Sequence, residues 1–307
     1  NRLSIGYTTA SQQKAKRQAE RFTESERLEI RIRAAMAVAS TESEFITELR
    51  AQDVLVRPRY APGTRDYVEG YSVALPAGNG EKPTWFGGGR IARDLTLTRL
   101  RYGWTDMQSE RAAALPLWAE GHNMNRPPRY NRRPSSQWQA DEMQAWRDVS
   151  AAVDDTLAQL DALQPGDDEG LALCTRQASS MFAALAGTHG KHGWRMSQAA
   201  RNLGYLAQTK SSPQRRTPYA PPRFRSAISA MRRPGGKGGA WQSASLVRDM
   251  SRLSTSLADT YELHGQLVTA RRTRAELDAA LASLTVPSTV AEPGTRQSSG
   301  DLSAEKM

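Results

Sequence analysis

Cysteine and aromatic residues are scarce in this chain of 307 residues. The single cysteine, Cys174, excludes an internal disulfide and a zinc site built from several cysteines, and it fits a reducing compartment. Aromatic residues make up 7% of the chain and hydrophobic residues 38%, which leaves small cores and much exposed helix. The length allows two or three domains of about 100–150 residues each.

Long apolar runs are also absent. No stretch approaches the roughly 20 residues that a membrane-spanning helix needs, and the N-terminus lacks the apolar core of a signal peptide. We therefore expect a soluble, cytoplasmic protein without a membrane partner.

The most informative absence is that of acidic residues between Glu169 and Asp249. This window of 79 residues carries thirteen basic residues: Arg176, Lys191, Arg195, Arg201, Lys210, Arg215, Arg216, Arg223, Arg225, Arg232, Arg233, Lys237 and Arg248. Because the whole chain has a net charge of +10, the other residues sum to −3 (10 − 13). A block of one sign repels itself unless an anion is bound, so the window favours a nucleic-acid surface over a generic basic surface.

Aromatic residues are interleaved with these charges and could stack on unpaired bases. They are Trp194, Tyr205, Tyr219, Phe224 and Trp241. No groove-binding motif of known spacing is present, so we expect binding to single-stranded DNA without sequence preference. The candidate DNA contacts of this window are Lys210, Arg215, Arg216, Arg223, Arg225, Arg232, Arg233 and Lys237.

A second basic stretch runs from Asn125 to Pro134, where three prolines exclude a helix. It places four candidate DNA contacts around Tyr130: Arg126, Arg129, Arg132 and Arg133. Two interpretations stay open. The stretch is either an arm that follows phosphates while the tyrosine stacks on a base, or a solvated linker.

The stretch 41–104 combines helix, strand and turn signals. Thr41, with Glu44 three positions later, forms a capping box that opens a short helix. Three strands are predicted to follow, at residues 54–60, 68–75 and 84–86, and a helical turn closes the unit near Leu100. This pattern predicts a small helix-plus-β-hairpin α+β domain without a catalytic constellation.

Gly87-Gly88-Gly89 and Arg90 lie between the third strand and that helical turn. The Gly-Lys-Ser/Thr ending of a nucleotide-binding loop is missing. The favoured interpretation is a tight turn that needs positive φ. The alternative is that helical amides, with Arg90 and Arg93, hold one DNA phosphate.

Three runs within this stretch, VLVRPRY, VEGYSVALP and WFGGGRIARDLTLTRLR, resemble a segment that follows the nuclease domain of relaxases. Relaxases are the mobilisation nucleases of conjugative and mobilisable elements, and the actinobacterial members look most similar. The resemblance covers residues 41–104, about a fifth of the chain. It implies a role in leading a nicked DNA strand to a recipient cell.

The chemistry of that family does not carry over to particular residues here. The family nicks DNA with a tyrosine and a three-histidine metal site, whereas this chain lacks a His-hydrophobic-His pattern. Its histidines are His122, His189, His192 and His264. We expect no catalytic residue, metal or cofactor. Because the chain begins at Asn1 rather than methionine, it is compatible with a fragment that lacks its front half.

The rest of the chain is predicted to be mainly helical. Residues 1–40 are expected to hold a charged connecting helix at 11–38, and residues 105–136 a junction with the basic arm. Residues 137–285 form a helical bundle or an elongated helical region, and residues 286–307 a disordered tail. Helices are predicted near 137–163, 168–187, 194–209, 222–232 and 241–284, and the last has near-heptad leucines.

Two functions are compatible with these features. The first is a DNA-binding, non-catalytic accessory region of a relaxase-like mobilisation protein. The second is a helical protein-interaction scaffold in a DNA-transfer or secretion complex, with self-association through the 241–284 helix. Proteins of a DNA-transfer complex are the expected partners besides DNA.

Overall fold

The structure is a computed structural model that describes residues 8–17, 20–77, 81–104, 108–120, 136–188, 193–208 and 240–285. It confirms the α+β class: a small antiparallel sheet with its helices is followed by a mainly helical region. The helices are α1 (Thr9–Arg17), α2 (Glu24–Met36), α3 (Glu42–Ala51), α4 (Gly88–Ile91), α5 (Leu97–Arg101), α6 (Gln108–Ala119), α7 (Ser136–Asp161), α8 (Asp168–Thr188), α9 (Trp194–Leu206), α10 (Ala240–Leu263) and α11 (Leu267–Thr285). The strands are β1 (Leu55–Tyr60), β2 (Val68–Ala74) and β3 (Phe86–Gly87).

The sheet has the order β1-β2-β3, and both pairs are antiparallel. The positive φ of Gly63 (77°) lies in the predicted turn between β1 and β2, where a side chain would be strained. Helices α2, α3, α5 and α6 contribute to one apolar cluster with the sheet, which we call the sheet core. It includes Leu28, Ile32, Met36, Phe45, Ile46, Leu49, Val56, Val68, Tyr71, Val73, Leu95, Leu100, Trp104 and Trp118.

Helices α7 to α11 pack around a second apolar cluster, the bundle core. It includes Val149, Val153, Leu160, Leu171, Cys174, Met181, Phe182, Leu185, Met196, Leu203, Leu246, Met250, Leu253, Leu257, Tyr261, Leu277 and Leu281. The three- and four-residue steps read from the sequence therefore face inward, and Cys174 is buried as expected.

Local capping explains where α2 and α3 begin. The Thr23 side chain accepts a hydrogen bond from the Glu26 amide, and the Glu26 carboxylate accepts one from the Thr23 amide, which completes a capping box. At α3, Thr41 accepts from the Glu44 amide as predicted, and the Glu44 carboxylate accepts from the Ser40 amide.

The predicted helix at 11–38 is wrong as a single, solvated element. The chain is not helical at Thr23, which separates α1 from α2, and much of α2 is buried. Its Leu28, Ile32 and Met36 are fully buried in the sheet core, while Ala34 lies in the bundle core. The charged residues of α2 indicate an exposed helix in the sequence, but two of them, Glu29 and Arg33, are themselves buried.

The predicted single helix at 241–284 is also wrong. It divides at Gly265, whose φ of 74° ends α10 and lets α11 fold back antiparallel to it. The near-heptad leucines, among them Leu253 and Leu257, are consequently buried within the chain itself. The helix predicted near 222–232 and the predicted tail 286–307 lie outside the described residues.

The predicted reason for Gly87-Gly88-Gly89, a turn that needs positive φ, is wrong. Gly87 has a φ of −70°, and neither Gly88 nor Gly89 has positive φ. Gly88 is instead required by close packing, because a Cβ there would lie 2.3 Å from the Leu95 carbonyl oxygen. Tyr71 donates a hydrogen bond to that same oxygen at 2.8 Å.

Candidate nucleic-acid interface

The predicted DNA contacts lie outside the described residues. They fall in two gaps, 121–135 and 209–239, which we call the first and second basic segments. The first contains Arg126, Arg129, Arg132 and Arg133. The second contains Lys210, Arg215, Arg216, Arg223, Arg225, Arg232, Arg233 and Lys237. What the structure does place is the residues at which each segment leaves and rejoins the fold.

Both basic segments lead into parallel helices. The first continues into α7 and the second into α10, and these two helices contact each other in parallel register. Ser150 donates a hydrogen bond to Asp249, and one turn further along both helices Arg252 lies 3.0 Å from Asp154. At 1.5 Å per residue, Ser136 and Ala240 lie about 21 Å and about 14 Å before the first contact, on the same side.

The two segments therefore rejoin the protein at one end of the bundle, which we call the entry end. Helix α8 ends there as well: it begins at Asp168, soon after α7 ends at Asp161, and packs back along α7, where Gln177 contacts Thr156 and Gln159 at 3.4 Å. Helix α9 begins there, since Ser179 of α8 donates to the Ala200 carbonyl of α9 at 2.6 Å and the two helices are antiparallel.

Trp194, the first residue of α9, marks the entry end with an aromatic ring that is 37% exposed. The guanidinium of Arg21 lies 4.8 Å from the ring centroid and that of Arg195 lies 5.3 Å from it. These are cation–π distances. Trp194 was one of the predicted stacking partners, and it is accessible together with two cations.

The basic charge is unevenly distributed between the two segments and the rest of the chain. The first segment contains four basic residues and the second eight, and neither contains an acidic one. Because the whole chain has a net charge of +10, everything outside the two segments sums to −2 (10 − 12). The positive field of the protein therefore originates in two stretches that join the same end of the bundle.

Two arginines of the acid-free window do not belong to this basic surface. Arg176 lies 3.5 Å from the Asp94 carboxylate, and Arg201 lies 2.8 Å from Glu26 and 3.4 Å from Glu29. These acids come from the N-terminal part of the chain, so the fold supplies the neutralising charge that the window lacks. Neither arginine is among the predicted DNA contacts, which all lie outside the described residues.

Asp94 is the centre of a buried ion cluster between the sheet core and the bundle core. Its side chain and that of Arg33 are fully buried, and Arg33 donates to both carboxylate oxygens at 2.9 and 3.2 Å. Burial alone would raise the pKa of the Asp94 carboxyl. The charges of Arg33 and Arg176 outweigh burial and lower the pKa below its usual value. The cluster therefore connects the sheet core to the bundle core.

A polar groove of about 590 Å³ runs between α9 and α11, with Glu29 of α2 at its side. Tyr205 lines the groove and is 47% exposed. The remaining lining residues are Gln198, Arg201, Asn202, Leu206, Gln208, Val268, Thr269, Arg272, Thr273 and Glu276. Gln208 is also the last described residue before the second basic segment, so that segment leaves the fold beside the groove.

The described residues include few groups that could bind a metal or react as a thiol. No group of three or more His, Cys, Asp or Glu side chains in those ranges could hold a metal ion. His264 lies 3.7 Å from Asp168 at the turn after α10, and the other three histidines fall outside the described ranges. Burial, with the charge of Asp167, raises the pKa of Cys174 to about 12, so its thiol stays protonated at neutral pH.

Sequence reasoning missed the groove because its walls are distant in sequence. Tyr205 was singled out as an aromatic residue, but its neighbours Arg272 and Thr273 lie more than sixty positions away and carry no motif. It also missed Asp94. Residue spacing cannot reveal that an aspartate in a short turn faces Arg33 across the domain.

Three comparisons, with protein-family models, with curated proteins and with solved structures, found no match to this chain. None of the helices in the part of the chain that the structure describes is both long and apolar enough to cross a bilayer.

Proposed function

We propose that this chain is a DNA-binding, non-catalytic accessory region of a relaxase-like mobilisation protein, and that it acts in the cytoplasm. The two basic segments contact the phosphates of a transferred single strand. Both segments rejoin the fold at the entry end of the bundle, and Trp194 with its two arginines offers a stacking surface at that end. The stretch 41–104, which carries the relaxase resemblance, belongs to the sheet core.

The observation that carries this proposal is the separation of charge. Twelve basic residues without an acidic neighbour lie in two segments, while the rest of the chain sums to −2. Parallel packing of α7 and α10 brings the rejoining ends of both segments to one end of the bundle. A stretch of single-sign charge repels itself unless it binds an anion, and nucleic acid is the common polyanion of the cytoplasm.

Fluorescence anisotropy of a labelled single-stranded oligonucleotide of ~30 nucleotides, titrated over salt, tests the proposal. We expect binding that weakens steeply with salt, because each neutralised phosphate of a single strand contributes about 0.7 to the slope of log K against log salt. Changing Arg215, Arg216, Arg223 and Arg225 to Gln together should flatten that slope by up to about 3. The corresponding variant of the first segment changes Arg126, Arg129, Arg132 and Arg133 to Gln.

The matched control removes four exposed arginines of the described part: Arg59, Arg65, Arg271 and Arg274. It lowers the net charge by the same amount, and the exposed Arg274–Asp259 pair that it breaks contributes little to stability. The control should keep the salt slope of the wild type. An equal loss of slope in the control, or absence of binding at physiological salt, would contradict the proposal. Metal-dependent nicking of DNA by this chain would contradict the proposal that the chain is non-catalytic.

The alternative, a helical protein-interaction scaffold, is supported by a different surface. Leu263 and Val268 flank the turn between α10 and α11 and are each 83% exposed, and Leu267 is half-exposed. Apolar side chains concentrated at a helical hairpin tip are typical of a protein contact. If the oligonucleotide does not bind, this tip becomes the favoured interface and the basic segments become contacts for an acidic protein.

A further inference from the structure

We propose that the groove between α9 and α11 binds one unpaired base of the DNA strand, stacked on Tyr205. This inference rests on the proposed function, because the basic segments supply the strand. It adds a second type of interaction, since the segments bind phosphates and the groove binds the base. It predicts a part of the affinity that does not depend on salt.

The charges of the groove point to an uncharged polar ligand. Its four charged side chains are two acids and two arginines that form ion pairs with them. Arg201 pairs with Glu29, and Arg272 donates to Glu276 at 2.9 Å. A phosphate would find these arginines already neutralised, and a cation would find the acids neutralised. A nucleobase carries no charge and has a polar edge, so it suits this balance.

The shape and lining of the groove suit a flat aromatic ring. Tyr205 exposes nearly half of its surface next to the apolar side chains of Leu206 and Val268. A volume of about 590 Å³ is within the usual range of small-molecule sites, about 300–1,000 Å³. Stacking of one base on an aromatic side chain contributes about 1–3 kcal/mol and tolerates any sequence.

Polar groups for the edge of a base lie along the same two helices. Gln198 donates to the Asn202 side-chain oxygen at 3.2 Å, so the two amides form a connected pair. Thr273 of α11 is 2% exposed, and its hydroxyl oxygen has no hydrogen-bond partner among the described residues. A buried hydroxyl without a partner costs about 1–3 kcal/mol. A polar ligand seated at this place would offer it one.

The position of the groove fits a strand that is already held by the second basic segment. That segment leaves the fold after Gln208, which lines the groove and accepts a hydrogen bond from the Arg93 amide at 3.3 Å. It rejoins the fold at Ala240, at the entry end. The second basic segment therefore leaves the fold three residues after Tyr205, beside the groove.

The test compares two oligonucleotides of equal length and charge: an oligothymidylate and an abasic oligonucleotide with the same backbone. We expect Tyr205→Ala to reduce the preference of the full chain for the oligothymidylate by about 5- to 150-fold, which corresponds to one stacked base. Stacking on Trp194 remains in this variant, and the affinity for the abasic strand and its salt slope should stay unchanged. Tyr205→Phe should retain the preference, because the ring remains.

Tyr67→Ala is the matched control, since Tyr67 is a tyrosine of similar exposure (42%) in the sheet domain. It should leave the preference intact. A second variant, Thr273→Val, keeps the side-chain shape and removes the hydroxyl. It should reduce the preference if that hydroxyl contacts the base.

Each other outcome is decisive. Equal affinity of the wild type for both oligonucleotides would overturn the base-binding groove and the stacking on Trp194, and would leave phosphate binding by the basic segments standing. A preference that Tyr205→Ala leaves undiminished, in a variant with unchanged circular dichroism, would overturn the base-binding groove as well. Absence of binding to either strand at physiological salt would overturn the proposed function and this inference together.

Discussion

At the scale of single residues, the Arg33–Asp94 pair is the most consequential interaction of the described part. Both side chains are fully buried, and the arginine donates to both carboxylate oxygens. Two charges taken out of water cost several kcal/mol each, and this cost is recovered only when geometry and further partners are good. Arg176 and Glu29 provide those further partners. Removal of one charge leaves the others buried without compensation.

We expect Asp94→Asn to lower the free energy of unfolding at pH 7 by about 3–5 kcal/mol. The pH dependence should identify the cause. A carboxyl whose pKa is lowered on folding stabilises the protein above its unfolded pKa of about 3.9, and that stabilisation is lost as pH falls through the folded pKa. The difference between wild type and variant should therefore shrink below about pH 4, as measured by urea denaturation at several pH values.

Asp259→Asn is the comparison for this variant. Asp259 pairs with Arg274 on the surface, where both side chains are about half exposed. Breaking such a pair should cost at most about 1 kcal/mol. If Asp94→Asn lowers the free energy of unfolding as little as Asp259→Asn does, the buried cluster does not stabilise the connection between the two cores.

At the scale of elements, one glycine decides whether the C-terminal region is a rod or a hairpin. The three- and four-residue steps that run from Leu246 to Tyr261 resume only at Leu277, and Gly265 lies in the interval between them. Gly265 adopts a φ of 74°, which other residues rarely adopt, and the Gln266 amide donates back to the Tyr261 carbonyl at 2.9 Å. The hairpin then buries both halves of the pattern against each other.

Two glycine-to-alanine changes test this with opposite signs. Gly265→Ala should lower the free energy of unfolding by about 1 kcal/mol, because an added Cβ meets no atom there and only backbone strain remains. Gly187→Ala, in α8 and equally uncrowded but without positive φ, should raise it by up to about 1 kcal/mol through helix propensity. Thermal unfolding measures both.

If Gly265→Ala were neutral or stabilising, the turn would not depend on a left-handed residue. A hairpin that could straighten would then restore self-association through the leucines of α10 and α11 as a realistic alternative. Analytical ultracentrifugation of the same variant over a range of concentrations detects that outcome.

At the scale of the whole molecule, α2 joins the two cores into one unit. One face of the helix places Leu28, Ile32 and Met36 in the sheet core, and Ala34, Ala37 and Val38 lie in the bundle core. The ion cluster adds a second connection through Arg33. Elements that share a buried helix unfold cooperatively, because neither core is complete without it.

We therefore expect Leu28→Ala to destabilise both cores although Leu28 contacts only one. The free energy of unfolding should fall by about 2–5 kcal/mol, as for other buried leucines. Native-state hydrogen exchange should show faster exchange for the slowest amides of β2 and of α8 together. Leu263→Ala, at a position that is 83% exposed, serves as the control and should change neither set.

Faster exchange confined to β2 would contradict this coupling. It would mean that the sheet domain opens on its own, as the predicted boundary between a connecting helix and the 41–104 domain implies.

Much of the local structure was already contained in the sequence. The three- and four-residue steps of α7, α8 and α9 predicted their bounds to within a few residues, because a buried helical face constrains residue type at every turn. The first two strands followed from alternation and turn residues, whereas the third is Phe86–Gly87 rather than 84–86, because it is fixed by pairing with Ser72 and Val73 of β2. The capping box at Thr23 and Glu26 has a Thr-x-x-Glu pattern in the sequence, but it lies in a highly charged stretch where it was not predicted.

The sequence by itself also determined the separation of charge, since composition along the chain does not depend on folding. Only the tertiary structure decided which charges remain available: it paired Arg176 and Arg201 with acids more than eighty positions away along the chain. It also decided that the two basic segments rejoin at one end and that a groove opens beside Tyr205. The physical reason is that pairing, burial and grooves depend on distances in space between elements, which residue order does not contain.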